Sequence, residues 1–474
     1  MLFNSIEFAV FLPVVFTAYW ILPKKYQWVV LLISSYWFYM SWKIEYVMLI
    51  LATTAVSFFA AIMMQNKQGQ VKKLILFAAA AISIGILFFF KYFDFFNRSI
   101  CDIIGLFTVR PDPFVLKLIL PVGISFYTFQ TISYVIDVYR GTSKAELHFG
   151  KYAAFISFFP QLVAGPIERT NNLMPQINKK HSFDYAKAIY GLKLMAWGYF
   201  KKLALADVMG VYTRAIFNNP QYYRGFSLVL AAVMFTIQIY CDFSGYSDIA
   251  IGTAKLFGID LMCNFKSPYF SQSIREFWGR WHISLSTWFR DYVYIPLGGS
   301  RCSKLRHSVN LMVTFLVSGL WHGANTTYIL WGGIHGLGQV IENYLLPKKS
   351  ASKGLLRWFR VTLVFGFCTL ALVFFASKSV HDAVYIISHL FDGISDFSGY
   401  IEKGFSIFDN YDAGLILSLI LLFAYDYYSL KGDVISAISS RGKVIRWTVY
   451  VVFLLWIYFN VVPDNNSVFI YFQF

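Results

Sequence analysis

Apolar stretches succeed one another along almost the whole chain, and no water-soluble fold accommodates that. The first four run over residues 8–22, 28–42, 47–64 and 74–90. Each comes close to the roughly 20 apolar residues that an α-helix needs to cross a bilayer. The charges that would cover such surface in water are missing. Of 474 residues, 14% are Asp, Glu, Lys or Arg, where a soluble domain carries about 25%. Apolar residues make up 57%, which also excludes intrinsic disorder. At about 20 residues per crossing, roughly 10–12 transmembrane helices fit. The expected class is an all-α polytopic membrane protein in a lipid bilayer. No long-period repeat, low-complexity tract or linker interrupts residues 1–474, so a single membrane domain is expected.

Charge sets the expected orientation. The first lysine is Lys24, so the positive n-region of a signal peptide is missing and residues 8–22 read as a retained first helix. Lys24 and Lys25 follow the first stretch, and Lys67, Lys72 and Lys73 follow the third. The positive-inside rule makes those loops cytoplasmic and the N-terminus extracytoplasmic. Lys431, Arg441, Lys443 and Arg446 precede the last stretch, 447–462, which leaves the tail 463–474 outside as well. The middle is less regular. Residues 114–138 are broken by Pro121 and Gly123, and residues 152–163 end in Ala164-Gly165-Pro166. Such segments read as re-entrant or broken helices buried in protein.

Residues 266–306 are of another kind. Lys266, Arg275, Arg280, Arg290, Arg301, Lys304 and Arg306 interleave with Trp278, Trp281, Trp288, Phe289, Tyr292 and Tyr294. This pattern reads as amphipathic helices at the cytoplasmic membrane face. Nucleic-acid binding is disfavoured, because the segment lies between membrane helices and carries no RNP-like or zinc-finger pattern.

Ionisable residues at membrane depth are costly and mark candidate sites. His322 lies inside the run 311–330, in Ser318-Gly319-Leu320-Trp321-His322-Gly323-Ala324-Asn325. Its small neighbours leave room for a ligand. Context alone leaves two readings open, a functional base and a hydrogen-bonded packing histidine. His335, in Gly332-Gly333-Ile334-His335-Gly336, reads as part of a small-residue packing face. Asp242 and Asp248 either line a polar vestibule or bond nearby serine and backbone groups. The five cysteines form no C-x-x-C, so no metal or redox site is expected. The sequence also lacks G-x-S-x-G, H-E-x-x-H and G-x-x-x-x-G-K-[ST] motifs, which removes the familiar hydrolase, metalloprotease and P-loop chemistries.

Five stretches resemble the membrane-bound O-acyltransferase family, its alginate O-acetylase-like subgroup in particular. They are PVGISFYTFQTISYVIDVYRG at 121–141, QLVAGPIER at 161–169, QIYCDFSGYSDIAIG at 238–252, SQSIREFWGRWHISLSTWFRDYVYIPLGG at 271–299 and SGLWHGANTTYILWGGIHG at 318–336. The resemblance covers the chain to about residue 345. It implies a ring of helices, with re-entrant and interfacial segments, around a central funnel. It also implies His322 as the catalytic histidine and His282 as its supporting partner. Imidazole suits the chemistry, since acyl transfer to a hydroxyl needs a base that works near neutral pH. Asn325, Asp242, Arg280 and Arg290 are the supporting candidates.

No bound cofactor is implied. The donor substrate would be cytosolic acetyl-CoA or an acyl-carrier thioester, docking on the basic segment. The terminal sequence VFIYFQF resembles the acyl-carrying end of the accessory peptide in teichoic-acid D-alanylation. It implies Tyr471 as a transient acyl carrier, against the plainer reading of an interfacial aromatic anchor. The expected function is O-acetylation of an exported polysaccharide, alginate-like, cellulose or peptidoglycan, in a bacterial inner membrane. A separate extracytoplasmic acetyltransferase would complete it. The alternatives are teichoic-acid D-alanylation and a proton-coupled transporter using His322 as a relay.

Overall fold

The computed structural model describes residues 1–116, 118–345, 352–406, 412–462 and 469–470. Among the described residues all regular structure is helical. The chain divides into two compact units, Met1–Leu192 with Ile249–Met262, and Lys193–Asp248 with Cys263–Phe474.

In chain order the first helices are α1 (Ile6–Ile21), α2 (Gln27–Met40), α3 (Val47–Gln65), α4 (Gly69–Lys91), α5 (Phe93–Gly105), α6 (Ile124–Arg140), α7 (Phe149–Ser157), α8 (Thr170–Asn178) and α9 (Tyr185–Tyr199). A π-helical stretch, Phe200–Ala206, leads into α10 (Asp207–Asn218). The site region follows with α11 (Phe226–Leu256), α12 (Ile274–Trp278), α13 (Ile283–Phe289), α14 (Lys304–His322), α15 (Thr326–Leu345) and α16 (Gly354–Ala376). Further helices reach Phe459.

Among the described residues four helices are long and apolar enough to cross a membrane: Ile44–Gln65, Gly69–Lys91, Phe226–Leu256 and Gly354–Ala376. The outward faces carry exposed Leu74, Phe77, Ile84 and Phe89 on α4 and Leu355, Phe359 and Leu363 on α16. Apolar surface of that extent has lipid, not water, as its solvent. The other apolar stretches fold as shorter or interrupted helices.

The interruptions expected in the first unit are present, and their backbone groups are satisfied internally. Gly123 opens α6 with φ 75° and sits where a Cβ would stand 2.6 Å from the Leu162 carbonyl. The Val122 carbonyl before it accepts from the Tyr39 hydroxyl at 3.1 Å. Where α7 ends, the Phe155 carbonyl takes N–H groups from Gln130 (3.0 Å) and Gln161 (3.2 Å). Ser35 Oγ accepts the Phe159 N–H at 3.0 Å. Irregular backbone survives at such depth only when partnered in this way.

In the second unit the apolar run 311–330 is interrupted, and α14 and α15 form a helical hairpin. Gly323 is extended (φ −169°) and ends α14 immediately after His322. Asn325 Oδ1 accepts the Thr327 N–H at 3.1 Å at the start of α15. The two helices approach closely because Gly319 and Gly332 face each other's helix. A Cβ on either would meet a carbonyl oxygen, of Tyr328 or Phe315 respectively. The short segments from α12 to α14 sort by face. Phe277, Trp281, Trp288 and Phe289 are buried, while Lys266, Arg275, Arg290, Arg301, Lys304 and Arg306 are exposed.

Candidate active site

His322 is the last residue of α14 and is 5% exposed. It lies on the wall of a small cavity in the second unit. The other walls come from α11 (Ile239), the segment before α13 (Phe277, Trp281), α15 (Trp331, His335) and α16 (Cys368, Leu372, Phe375). The imidazole meets the rings of Trp321, Trp331 and Phe375 edge-on, with centroids 5.0, 5.0 and 5.3 Å away. The cavity measures about 10 Å³, room for about one water. The expectation that small residues beside His322 leave space for a ligand is corrected. The space next to Gly323 is filled by the Tyr328 ring, and that next to Gly319 by the Tyr328 carbonyl and Gly332. These glycines serve helix packing.

His335 combines the expected packing with a place on the cavity wall. Gly332 and Gly336 do pack against α14, at Phe315 and Met312, but His335 itself lines the His322 cavity. Trp278 Nε1–H donates to His335 Nδ1 at 3.3 Å. The available signal was the i, i+4 spacing of Trp331 and His335, which puts both on one face of a helix. Cys368 reaches the same cavity from α16.

His282 sits one shell away. Its ring lies 6.2 Å from that of Trp321, which in turn touches His322, and 4.5 Å from that of Phe243. It is fully buried and has φ 42°, left-handed for a residue with a side chain. Strain of this kind persists only where the surroundings over-determine it. Here Asn264 does so. Its carbonyl accepts the Ile283 N–H (3.0 Å), and its Oδ1 accepts the Ser284 N–H (3.3 Å) and hydroxyl (2.6 Å). Its Nδ2 donates to Ser247 Oγ at 3.2 Å.

The supporting candidates are spread out. Asn325 caps α15, and its amide donates to the Lys378 carbonyl at 3.1 Å. Arg280 pairs with Glu276 at 2.6 Å and Arg290 with Asp291 at 2.8 Å. None of the three lines the His322 cavity. Asp242 is buried on α11 and binds Lys202 Nζ at 2.6 Å, while Lys202 also binds Asp207 at 2.8 Å. The Lys201-Lys202 pair inside an apolar helix was a sequence signal that went unread. Tyr471 lies outside the described residues, but Phe469 and Ile470 just before it are buried, 1% and 7% exposed. Among the described residues no His, Cys, Asp and Glu side chains group as a metal site would need.

Apolar outer faces around buried polar clusters define a multi-pass, all-helical membrane protein with an internal histidine site. Residues 144–381 match the model of the MBOAT, or membrane-bound O-acyltransferase, family. The chain belongs to that family and is an O-acyltransferase. It is 39% identical to a probable alginate O-acetylase of Pseudomonas syringae pv. tomato, over 81% of this chain and 74% of the relative. It is 31% identical to a peptidoglycan O-acetyltransferase of Helicobacter pylori, over 100% of this chain and 98% of the relative. It is also 31% identical to a teichoic acid D-alanyltransferase of Streptococcus thermophilus, over 54% of this chain and 65% of the relative.

Proposed function

We propose that this enzyme takes an acetyl group from acetyl-CoA or an acyl-carrier thioester in the cytosol and delivers it for O-acetylation of an exported polysaccharide. The reading places the chain in a bacterial inner membrane with both termini extracytoplasmic. A separate extracytoplasmic acetyltransferase completes the transfer. The observation that carries it is the His322 imidazole, held at a helix end in a small cavity walled by aromatic rings.

His322 is the general base. It accepts the proton of the Tyr471 phenol as the phenolic oxygen attacks the thioester carbonyl. The carbon–sulfur bond breaks, the thiolate leaves, and His322 returns the proton to sulfur. The products are an acetyl ester on Tyr471 and a free thiol. An aromatic cage excludes bulk water, which would otherwise hydrolyse the ester. His282, on its braced turn, orients the Trp321–His322 pair. The cavity has room for about one water and for neither a phenol nor a thioester, so turnover requires its lining to move.

Alginate-like polymer is the first acceptor. The full-length likeness to a peptidoglycan O-acetyltransferase favours the peptidoglycan glycan as the second. The test is incubation of the purified protein with [14C]acetyl-CoA, followed by measurement of ester-linked acetate in envelope polymers of a deletion strain. Label on protein and polymer is lost in His322→Ala. Label on the protein is also lost in Tyr471→Phe, which keeps an aromatic anchor and removes the hydroxyl. Undiminished labelling in His322→Ala overturns the proposal.

A further inference from the structure

We propose that the Trp331 indole N–H and the His335 Nε2–H form an oxyanion hole for the acyl carbonyl that reacts at His322. The hole serves the transfer assigned to His322 and rests on that reading. Both side chains line the His322 cavity, and they are 3% and 1% exposed. They stand four residues apart on α15, which puts them on one helix face. Their ring centroids are 5.0 Å apart, and the Trp331 ring lies at the same distance from that of His322.

Each ring carries a donor. Trp331 Nε1 is buried and has no acceptor among the described residues. A buried donor left in that state costs about 1–3 kcal/mol, and such groups are rare in folded proteins. An indole N–H can only donate, so an incoming acceptor is what satisfies it. The state of His335 is set by its neighbour. Trp278 Nε1–H donates to His335 Nδ1 at 3.3 Å. Nδ1 therefore bears no proton, and the neutral ring carries it on Nε2. In that tautomer His335 can donate through Nε2 but cannot take a proton there. The two histidines of the cavity thus divide the work, His322 as base and His335 as donor, with Trp278 as the positioning residue.

The size of the space fits one oxygen. At about 10 Å³ the cavity takes about one water, the scale of a carbonyl oxygen and not of a whole substrate. Ile239, Leu372 and Phe375 supply apolar wall, and fixed donors act most strongly where water is excluded. As the acceptor oxygen attacks, the new carbon–oxygen bond forms and the carbonyl π pair moves onto oxygen. The two N–H groups take up that negative charge. When the pair falls back, the carbonyl re-forms, the carbon–sulfur bond breaks, and His322 passes its proton to the leaving thiolate. Both donors end the cycle unchanged.

Benzothienylalanine at position 331, introduced by codon suppression, keeps the bicyclic ring and removes only the N–H. His335→Phe removes the second donor. His335→Gln is the conservative variant, since its amide can accept from Trp278 and still donate. Turnover of [14C]acetyl-CoA by the purified full-length protein gives kcat and KM. Loss of one oxyanion donor costs about 100- to 1,000-fold in kcat. That loss is expected with the analogue at 331 and in His335→Phe, with KM unchanged because the bond is made in the transition state. His335→Gln should recover part of it. Thermal unfolding with the analogue should match wild type, because the resting fold loses no hydrogen bond. Wild-type kcat with the analogue or in His335→Phe overturns the hole. So does a loss with the analogue that is matched by a lower unfolding temperature, which assigns the N–H to packing. Undiminished turnover in His322→Ala overturns the general-base reading instead, and a kcat loss in the two donor variants then still upholds the hole.

Discussion

Replacing Gly319 by alanine tests whether the α14–α15 hairpin sets the position of His322. The added Cβ would stand 2.3 Å from the Tyr328 carbonyl oxygen and 3.3 Å from Gly332 Cα. Backbone supplies both contacts, so no side chain can swing aside. Restoring ordinary contact distances of about 3.5 Å parts the helices by about 1 Å. Overpacking of that kind costs about 1–3 kcal/mol. The rate effect is larger than the stability effect. His322 ends α14, three residues from the substitution, while Trp331 and His335 line the cavity from α15. A misplacement of about 1 Å in a catalytic constellation costs roughly 100-fold in rate. The control is Gly333→Ala on the same hairpin. The nearest atom to a Cβ there is Leu316 Cδ2 at 3.5 Å, an ordinary contact, and alanine favours the helix by up to about 1 kcal/mol. Thermal unfolding in detergent and acetyl transfer from labelled acetyl-CoA are measured on both variants. Gly319→Ala should lose most of its transfer rate and unfold at lower temperature, with Gly333→Ala close to wild type. Wild-type turnover in Gly319→Ala would refute the reasoning, because the hairpin would then not govern the geometry of His322.

Two further outcomes follow from contacts elsewhere. Trp278→Phe leaves His335 Nδ1 without its donor, and His335→Phe leaves the Trp278 N–H without its acceptor. Each single variant should lose about 1–3 kcal/mol, and the double variant should recover most of it in a double-mutant cycle of unfolding. Strict additivity would show that the bond carries no coupling. In the first unit, Asp260 binds Lys187 at 2.6 Å and Lys255 at 2.8 Å. Burial pulls its carboxyl upward, but the two lysines outweigh it and hold it below the usual carboxylate range. A depressed carboxylate stabilises the fold above its ordinary pKa of about 3.9 and loses that contribution as pH falls through the depressed value. Asp260→Asn should therefore lower stability at neutral pH by about 0.5–1 kcal/mol, the range for half-exposed pairs. The difference should vanish in acid, and a deficit independent of pH would place the loss in packing instead.

The sequence foretold membrane helices and broken segments because both are written in residue types. Proline and glycine at 121 and 123, and Ala164-Gly165-Pro166, interrupt apolar runs in any window. The hairpin at His322 escaped the same reading. Gly323, Ala324 and Asn325 are too mild to dent the hydropathy of 311–330, and the turn is decided by which glycines let two helices touch. His322 stands out as a candidate from its depth and motif, whereas His335 reads as packing, and Gly332 and Gly336 do pack. A helix has more than one face, and His335 shares a cavity wall with Trp331. Lys202 is a signal of a different kind, whose partner the sequence does not show. Averaging hides a lysine pair within an apolar helix, and its partner Asp242 lies 40 positions away. A buried charge of that kind is read only in pairs.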